Sequence, residues 1–363
     1  MAPFRFMRPA HFFACCWLLA AGACGQPSNT NQNPAMSPSG ADKFTLTAGP
    51  CAAEGHWVTI QGGSFIGPGG APLPVPSGHT LEGSWGASGT VWSSGDDLHP
   101  APEQLSLLWF SYAENKFYKG DFALPHAKIL ALLKQGTWDL EKKKKVPYNE
   151  FTVCVLPKGG VVVWLTGGNQ VLVGRFQGNE FSPSAADYAR YYGAVDRAGM
   201  VAETRAEMPP EVQAQIKAGT ISAKKWDDYL KTYPWQVAFN VPFTLSRYSW
   251  HGVNAERFSD PLTRDGLAAY RQFVLSPVAK SVPSQFLLHG QAEHGGNYLV
   301  QVEAFDETET KTAFETLHKL SPKSPITLLF TIDKPFQKAT LTLKNEAKEI
   351  PLPKSNVKVF SED

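Results

Sequence analysis

The sequence predicts an α+β fold: mainly antiparallel β-sheet in a meander, with several packed helices, preceded by a signal peptide and a flexible tether. Three observations predict it. Gly (31) and Pro (28) make up about one residue in six of the 363, above the usual share and suited to strands joined by turns. Three apolar runs, Phe151–Leu156, Val161–Thr166 and Val171–Phe176, are separated only by Pro157-Lys158-Gly159-Gly160 and Gly167-Gly168-Asn169, and connections that short make antiparallel neighbours. Charged residues are 18% and hydrophobic residues 43%, enough apolar mass for a core and enough length for two portions.

At the N-terminus, Arg5 and Arg8 precede the apolar run AHFFACCWLLAAGA, a charged head and short hydrophobic middle typical of a secretory signal and shorter than the ~20 residues a spanning helix needs. The run ends Ala21-Gly22-Ala23-Cys24, which resembles the lipobox of bacterial lipoproteins, with Ala21 where Leu is commoner. The resemblance implies a diacylglyceryl thioether on Cys24, and residues 1–23 as the removed signal. The alternative is an ordinary signal with an incidental cysteine. Gly25 stands where an aspartate would hold a lipoprotein at the inner membrane, which implies the outer one, with the chain facing the periplasm.

Residues 24–43 are expected to be a disordered tether, since apart from Met36 and two alanines they lack apolar side chains to offset ordering entropy. As a coil of about 20 residues the tether spans roughly 25 Å, and about 60 Å if stretched. The partner implied on this side is a membrane, reached through the N-terminal lipid. Beyond Cys24 the cysteines are Cys51 and Cys154. In an oxidising compartment a pair is expected to be a disulfide, closing a loop of about 100 residues and contributing ~2–4 kcal/mol; two buried free thiols are the other reading.

Residues 44–182 read as a β-rich portion. Up to residue 100 dense Gly and Pro surround short apolar runs such as His56-Trp57-Val58-Thr59-Ile60, so no helix is expected. Leu105–Ser111 reads as a buried strand. The segment Leu124–Gln135 reads as a helix with Pro125 in its first turn, Gly136 as its stop and Ile129, Leu130, Leu132 and Leu133 as its stripe. Lys142–Lys145 reads as a solvated loop. Residues 183–363 read as a helical interlude, with helices over Ser184–Gly199, Pro209–Ala218 and Ser222–Tyr233, followed by a second α+β portion. Its strands lie near Phe243–His251, Gln285–His289, Tyr298–Phe305, Ile326–Ile332 and Lys338–Leu343, its helices near Arg264–Leu275 and Thr308–Leu320.

The formal charge of +1 lacks the one-sided basic surface that nucleic acid requires. GxSxG, GxxxxGK[ST], HExxH and paired CxxC are absent, so no motif assigns a catalytic residue or a cofactor. His289, Glu293 and His294 have a spacing that does not place both histidines on one face, and they are not read as a metal site. Trp109 and Trp164 sit inside apolar runs and read as core. Trp85 and Trp92, among glycines and serines, are the better candidates for an exposed contact, together with the Asp96-Asp97 turn.

One segment carries a family resemblance. It contains Ser84-Trp85-Gly86, then a strand ending Trp109-Phe110-Ser111, then Glu114 and Tyr118, then Leu124-Pro125 opening a helix. It closes on the turn Pro157-Lys158-Gly159-Gly160 leading to Val162-Val163-Trp164-Leu165. The set is similar to the proteobacterial lipoprotein family of unknown function catalogued as domain of unknown function twenty-nine thirty-one, and covers about a quarter of the chain. The resemblance implies an envelope lipoprotein without an assigned catalytic site, in a family often encoded beside type VI secretion and lipase effectors. A non-catalytic binding module is therefore expected, in its sharpest form an immunity protein that neutralises a secreted effector. The alternatives are an envelope or glycan-binding lipoprotein, or a hydrolase of unfamiliar type built on Glu114, Asp121 or Asp187.

Overall fold

The computed structural model describes residues 42–91, 98–262 and 272–362. The signal, most of the tether, Cys24, Trp92, the Asp96-Asp97 turn and most of the segment expected as a helix over Arg264–Leu275 lie outside the described residues. The predicted meander is present. Phe151, Val153 and Val155 on Glu150–Leu156 stand against Leu165, Val163 and Val161 on Gly160–Thr166, which pairs in turn with Gln170–Gln177 through a bulge at Val163/Trp164. It supplies three strands of a nine-stranded sheet. The order is Thr47–Ala52, Glu150–Leu156, Gly160–Thr166, Gln170–Gln177, Arg257–Asp260, Phe243–Gly252, Pro283–Ala292, Asn297–Val302, Val357–Glu362.

Alternation along these strands decides which core each face enters. Val161, Val163 and Leu165 belong to the main hydrophobic core, which also holds Trp235, Trp250, Phe286 and Phe314 from the C-terminal portion. Val162 and Trp164 point the other way, into a smaller core with Cys51, Cys154, Trp226 and Tyr229. A strand buried on both faces needs an unbroken apolar run, which is what VVVWL supplies.

A six-stranded antiparallel sheet includes Val58–Ile66, Gln104–Ser111 and Lys116–Ala123. Leu105, Leu107 and Trp109 face the main core, while Phe110 and Tyr112 face a third cluster capped by helices. A five-stranded sheet carries Thr232–Phe239 beside Ile326–Ile332 in parallel. No described helix is long and apolar enough to cross a membrane.

Helix α1, His126–Gln135, starts after Pro125 and stops at Gly136, and it buries Ile129 and Leu133. The interlude differs from expectation. Gly193, at φ +65°, ends α2 (Ala185–Tyr192), and Asp196 caps a new helix α3 (Arg197–Glu207) by accepting from the amides of Ala198 and Gly199, so the stretch to Gly199 is two helices. Helix α4 spans Pro210–Ala218. Helix α5 is short, Lys224–Tyr229, because the residues after it enter the strand Thr232–Phe239, where Tyr233 and Trp235 gain burial. Helix α6 spans Glu307–Leu320. The lysine run is exposed, but Lys144–Val146 pairs with Thr137–Asp139 as a hairpin.

Candidate functional site

Most of the predicted motif converges on one carboxylate. The Glu114 side chain is only 2% exposed. It accepts the Ser111 hydroxyl at 3.3 Å, the Tyr118 hydroxyl at 3.0 Å and the Lys158 amide at 2.9 Å, with the Lys158 ammonium at 3.5 Å. A buried carboxylate with that many donors is a fastener. It ties the turn of the six-stranded sheet to the Pro157–Gly160 turn of the nine-stranded sheet. Gly159 sits at φ +77°, and a Cβ there would meet the Gly178 carbonyl at 2.8 Å and the Tyr118 ring at 2.8 Å, so the turn requires glycine. Trp109 stacks on Tyr118 at 5.6 Å. Burial, then the Glu114 charge, push the Tyr118 hydroxyl well above its ordinary pKa, which keeps it a donor. The proposed hydrolase acids are not assembled: the Asp187 carboxylate, in the first turn of α2, accepts the hydroxyl of the N-cap Ser184 and pairs with Arg190, and Asp121 faces Ser106 on an exposed sheet position.

The other motif residues lead elsewhere. Trp85 is half-buried, with its ring edge-on to Trp164 at 4.8 Å. Its indole N–H donates to the Val253 carbonyl at 2.9 Å, and its amide donates to Glu54 at 2.9 Å. Trp164 below it donates to the Asn254 carbonyl at 3.0 Å. Trp85, a candidate for an exposed contact, is therefore part of a wall instead. Leu165 is core on the opposite face of the sheet.

Above this wall lies a cavity of about 420 Å³, lined by Glu54, Trp85, Tyr229, His251, Arg257 and Glu307 among others. A second cavity, near 540 Å³, is lined by Thr340, Leu341, Pro351, Leu352 and other uncharged residues and offers no comparable chemistry. The first sits at a seam. Between Gln170–Gln177 and Arg257–Asp260 the ladder of the nine-stranded sheet has a single register pair among the described residues, Gln170 with Arg257. The Gln170 side chain closes it, donating to the Gly86 and Ala255 carbonyls at 2.8 and 2.7 Å and accepting from Arg257 at 3.0 Å. Gly86 is at φ +72°, and a Cβ on it would lie 2.1 Å from that of Ala255. Ser84 and Ala255 also hold positive φ, +81° and +63°, so local strain gathers at the cavity.

Two carboxylates line the opening. Glu54 accepts the Trp226 indole at 3.2 Å as well as the Trp85 amide. Glu307 accepts the Tyr229 hydroxyl at 2.9 Å and pairs with Lys311 at 3.5 Å. Burial, then the hydrogen bond to Glu307, raise the Tyr229 hydroxyl above its ordinary pKa. Burial, then the Arg257 charge, hold the His251 imidazole below its usual value, so it is neutral at pH 7. Among the described residues Arg257 and Lys225 have no ion-pair partner within 4.0 Å; Lys225 lies over the Tyr229 and Trp226 rings.

Glu54, Arg257 and Glu307 carried no sequence signal, because they lie in three widely separated segments and match no spacing that marks a site. Only Trp85-Gly86 marked the place. Cys51 and Cys154 are register partners on parallel strands beneath the cavity floor. The expected bridge between them is not formed in this structure: both are free buried thiols. Burial, then the contact with Cys51, push the Cys154 thiol far up. His289 hydrogen-bonds Glu362 at 2.8 Å, and His294 lies 3.0 Å from the Tyr298 hydroxyl, so the two histidines serve separate contacts.

Residues 26–223 match the model of a family described as protein of unknown function (DUF2931). The match takes in the Glu114 fastener and the Glu54, Trp85 and Gln170 side of the cavity, and it ends just before Lys225. No curated protein and no solved structure matches the chain.

Proposed function

The chain belongs to the DUF2931 family of proteins of unknown function, and from that premise we propose that it is an outer-membrane-anchored periplasmic lipoprotein acting as a non-catalytic binding module. The observation that carries the binding role is the cavity at the Gln170–Arg257 seam. Concave sites where two halves of a fold meet are where ligands are usually held. The anchor rests on Arg5, Arg8, the apolar run and Ala21-Gly22-Ala23-Cys24. Engagement of the Glu114 and Asp187 carboxylates in structural contacts supports a binding role over a hydrolytic one.

In its sharpest form the module is an immunity protein, neutralising a lipase-type effector of type VI secretion by covering its active site. The gene neighbourhood that the family resemblance implies motivates this form. An envelope or glycan-binding role is the second reading, favoured by the aromatic and charged lining of the cavity. In an oxidising periplasm the adjacent thiols of Cys51 and Cys154 would close into a disulfide.

Metabolic labelling with palmitate tests the anchor: Cys24→Ser should abolish it, and unchanged labelling overturns the lipoprotein assignment. Co-purification and calorimetry of the full chain against each co-encoded toxin test the immunity form, with nanomolar affinity expected, since neutralisation needs sustained occupancy. No binding to any of them discards that form in favour of the envelope-binding reading.

A further inference from the structure

We infer that the seam cavity binds a small sugar acid, its carboxylate forked by Arg257 and its ring laid against Trp85. The inference deepens the binding-module reading by naming a ligand class, and it rests on that reading. Arg257 holds one guanidinium N–H on Gln170 at 3.0 Å and has no carboxylate within ion-pair distance among the described residues. Gln170 is itself fixed by two backbone carbonyls, so the guanidinium is pinned at one corner with its remaining donors free. A positioned guanidinium fork matches the two oxygens of a carboxylate.

The rest of the lining selects the body of the ligand. At about 420 Å³ the cavity falls among small-molecule sites, which run from ~300 to 1,000 Å³. The Trp85 and Tyr229 rings supply apolar surface of the kind that packs on the C–H face of a pyranose. Glu54 and Glu307 each already accept from protein donors, and their unused lone pairs can accept hydroxyls. An inorganic anion would leave the aromatic wall and both carboxylates unmatched. A neutral sugar would leave the free donors of Arg257 without an anion, and a fatty acid would bury methylenes against two carboxylates. A polyhydroxylated acid meets all three features.

The full chain, purified in detergent micelles, would be titrated calorimetrically with D-glucuronate, D-glucose and acetate. D-glucuronate should bind at least about tenfold more tightly than either of the others, because each lacks one of the two recognised groups. Arg257→Lys, which keeps the charge and loses the fork, should weaken D-glucuronate by about tenfold. Labelling of Arg257 in the unmutated protein by phenylglyoxal, read by peptide mass spectrometry, should slow several-fold with D-glucuronate and not with D-glucose. That measurement decides the matter if the variant does not fold. Equal binding of D-glucuronate and acetate, equal binding of D-glucuronate and D-glucose, or unchanged labelling at saturating D-glucuronate would overturn the inference. None of these outcomes alters palmitate labelling or toxin co-purification, so the failure of one reading is distinguishable from that of the other.

Discussion

The Glu114 carboxylate accepts the backbone amide of Lys158 at 2.9 Å across 44 residues of sequence. Lys158 needs that anchor: it sits in the left-handed region at φ +61°, a conformation that costs a non-glycine residue roughly 1–2 kcal/mol.

Glu114→Ala should therefore lower stability by about 2–4 kcal/mol, because it leaves the Lys158 amide and two hydroxyls without their acceptor in a buried place. Tyr118→Phe, losing one donor, should cost about 1 kcal/mol. Urea denaturation of both variants checks the order; equal stabilities would show that Glu114 is not the hub.

At Gly86 the close contact with Ala255 makes a paired prediction. Gly86→Ala should cost more than about 2 kcal/mol from overpacking and backbone strain. Adding Ala255→Gly removes the colliding Cβ and should recover at least about 1 kcal/mol of that loss. Strict additivity in the double-mutant cycle would contradict the 2.1 Å approach.

Lys280 gives a pH dependence. Its ammonium is buried, donating to the Trp235 carbonyl and to that of Ser276 at 2.9 Å, 4.6 Å over the Trp235 ring. Burial pulls its pKa down to about 7, whereas the unfolded chain returns it to about 10.4. Between those values the unfolded state holds the proton that the folded state lacks. Stability must then rise with pH, by up to about 1.4 kcal/mol per unit, and level off above pH ~10.4. Folding midpoints measured at pH 7, 8 and 9 should climb more steeply in the natural protein than in Lys280→Met. Parallel profiles would remove Lys280 from the account.

The two thiols predict an electrophoretic result. If the chain matures in an oxidising compartment, as proposed, it should run under non-reducing conditions as a compact form that disappears with reductant and in Cys51→Ser, because the closed loop shrinks the denatured chain. If both cysteines instead react with an alkylating agent in unreduced, denatured protein, the pair stays reduced.

The meander and α1 were legible because their signals are local: an unbroken VVVWL run, a two-glycine turn, Pro125 before the helix and Gly136 after it. The strand at Trp235 was not, since Lys224–Tyr233 has helical composition and only the burial of Tyr233 and Trp235 against Phe314 of α6 overrides it. The Glu114 fastener was half legible. Its members stood out as a set, yet a lone carboxylate reads equally as catalytic or structural until its donors are placed. The cavity was legible only at Trp85-Gly86, because its charges come from segments as far apart as Glu54, Arg257 and Glu307 and meet only through tertiary packing.

Among the described residues, the ladder of the nine-stranded sheet narrows to one pair, Gln170 with Arg257. Each rung of a ladder restrains the twist between neighbouring strands, so torsional compliance concentrates where rungs are fewest. The parts of the sheet on either side of that pair, ending at Thr47–Ala52 and Val357–Glu362, are therefore the parts between which twist is least restrained.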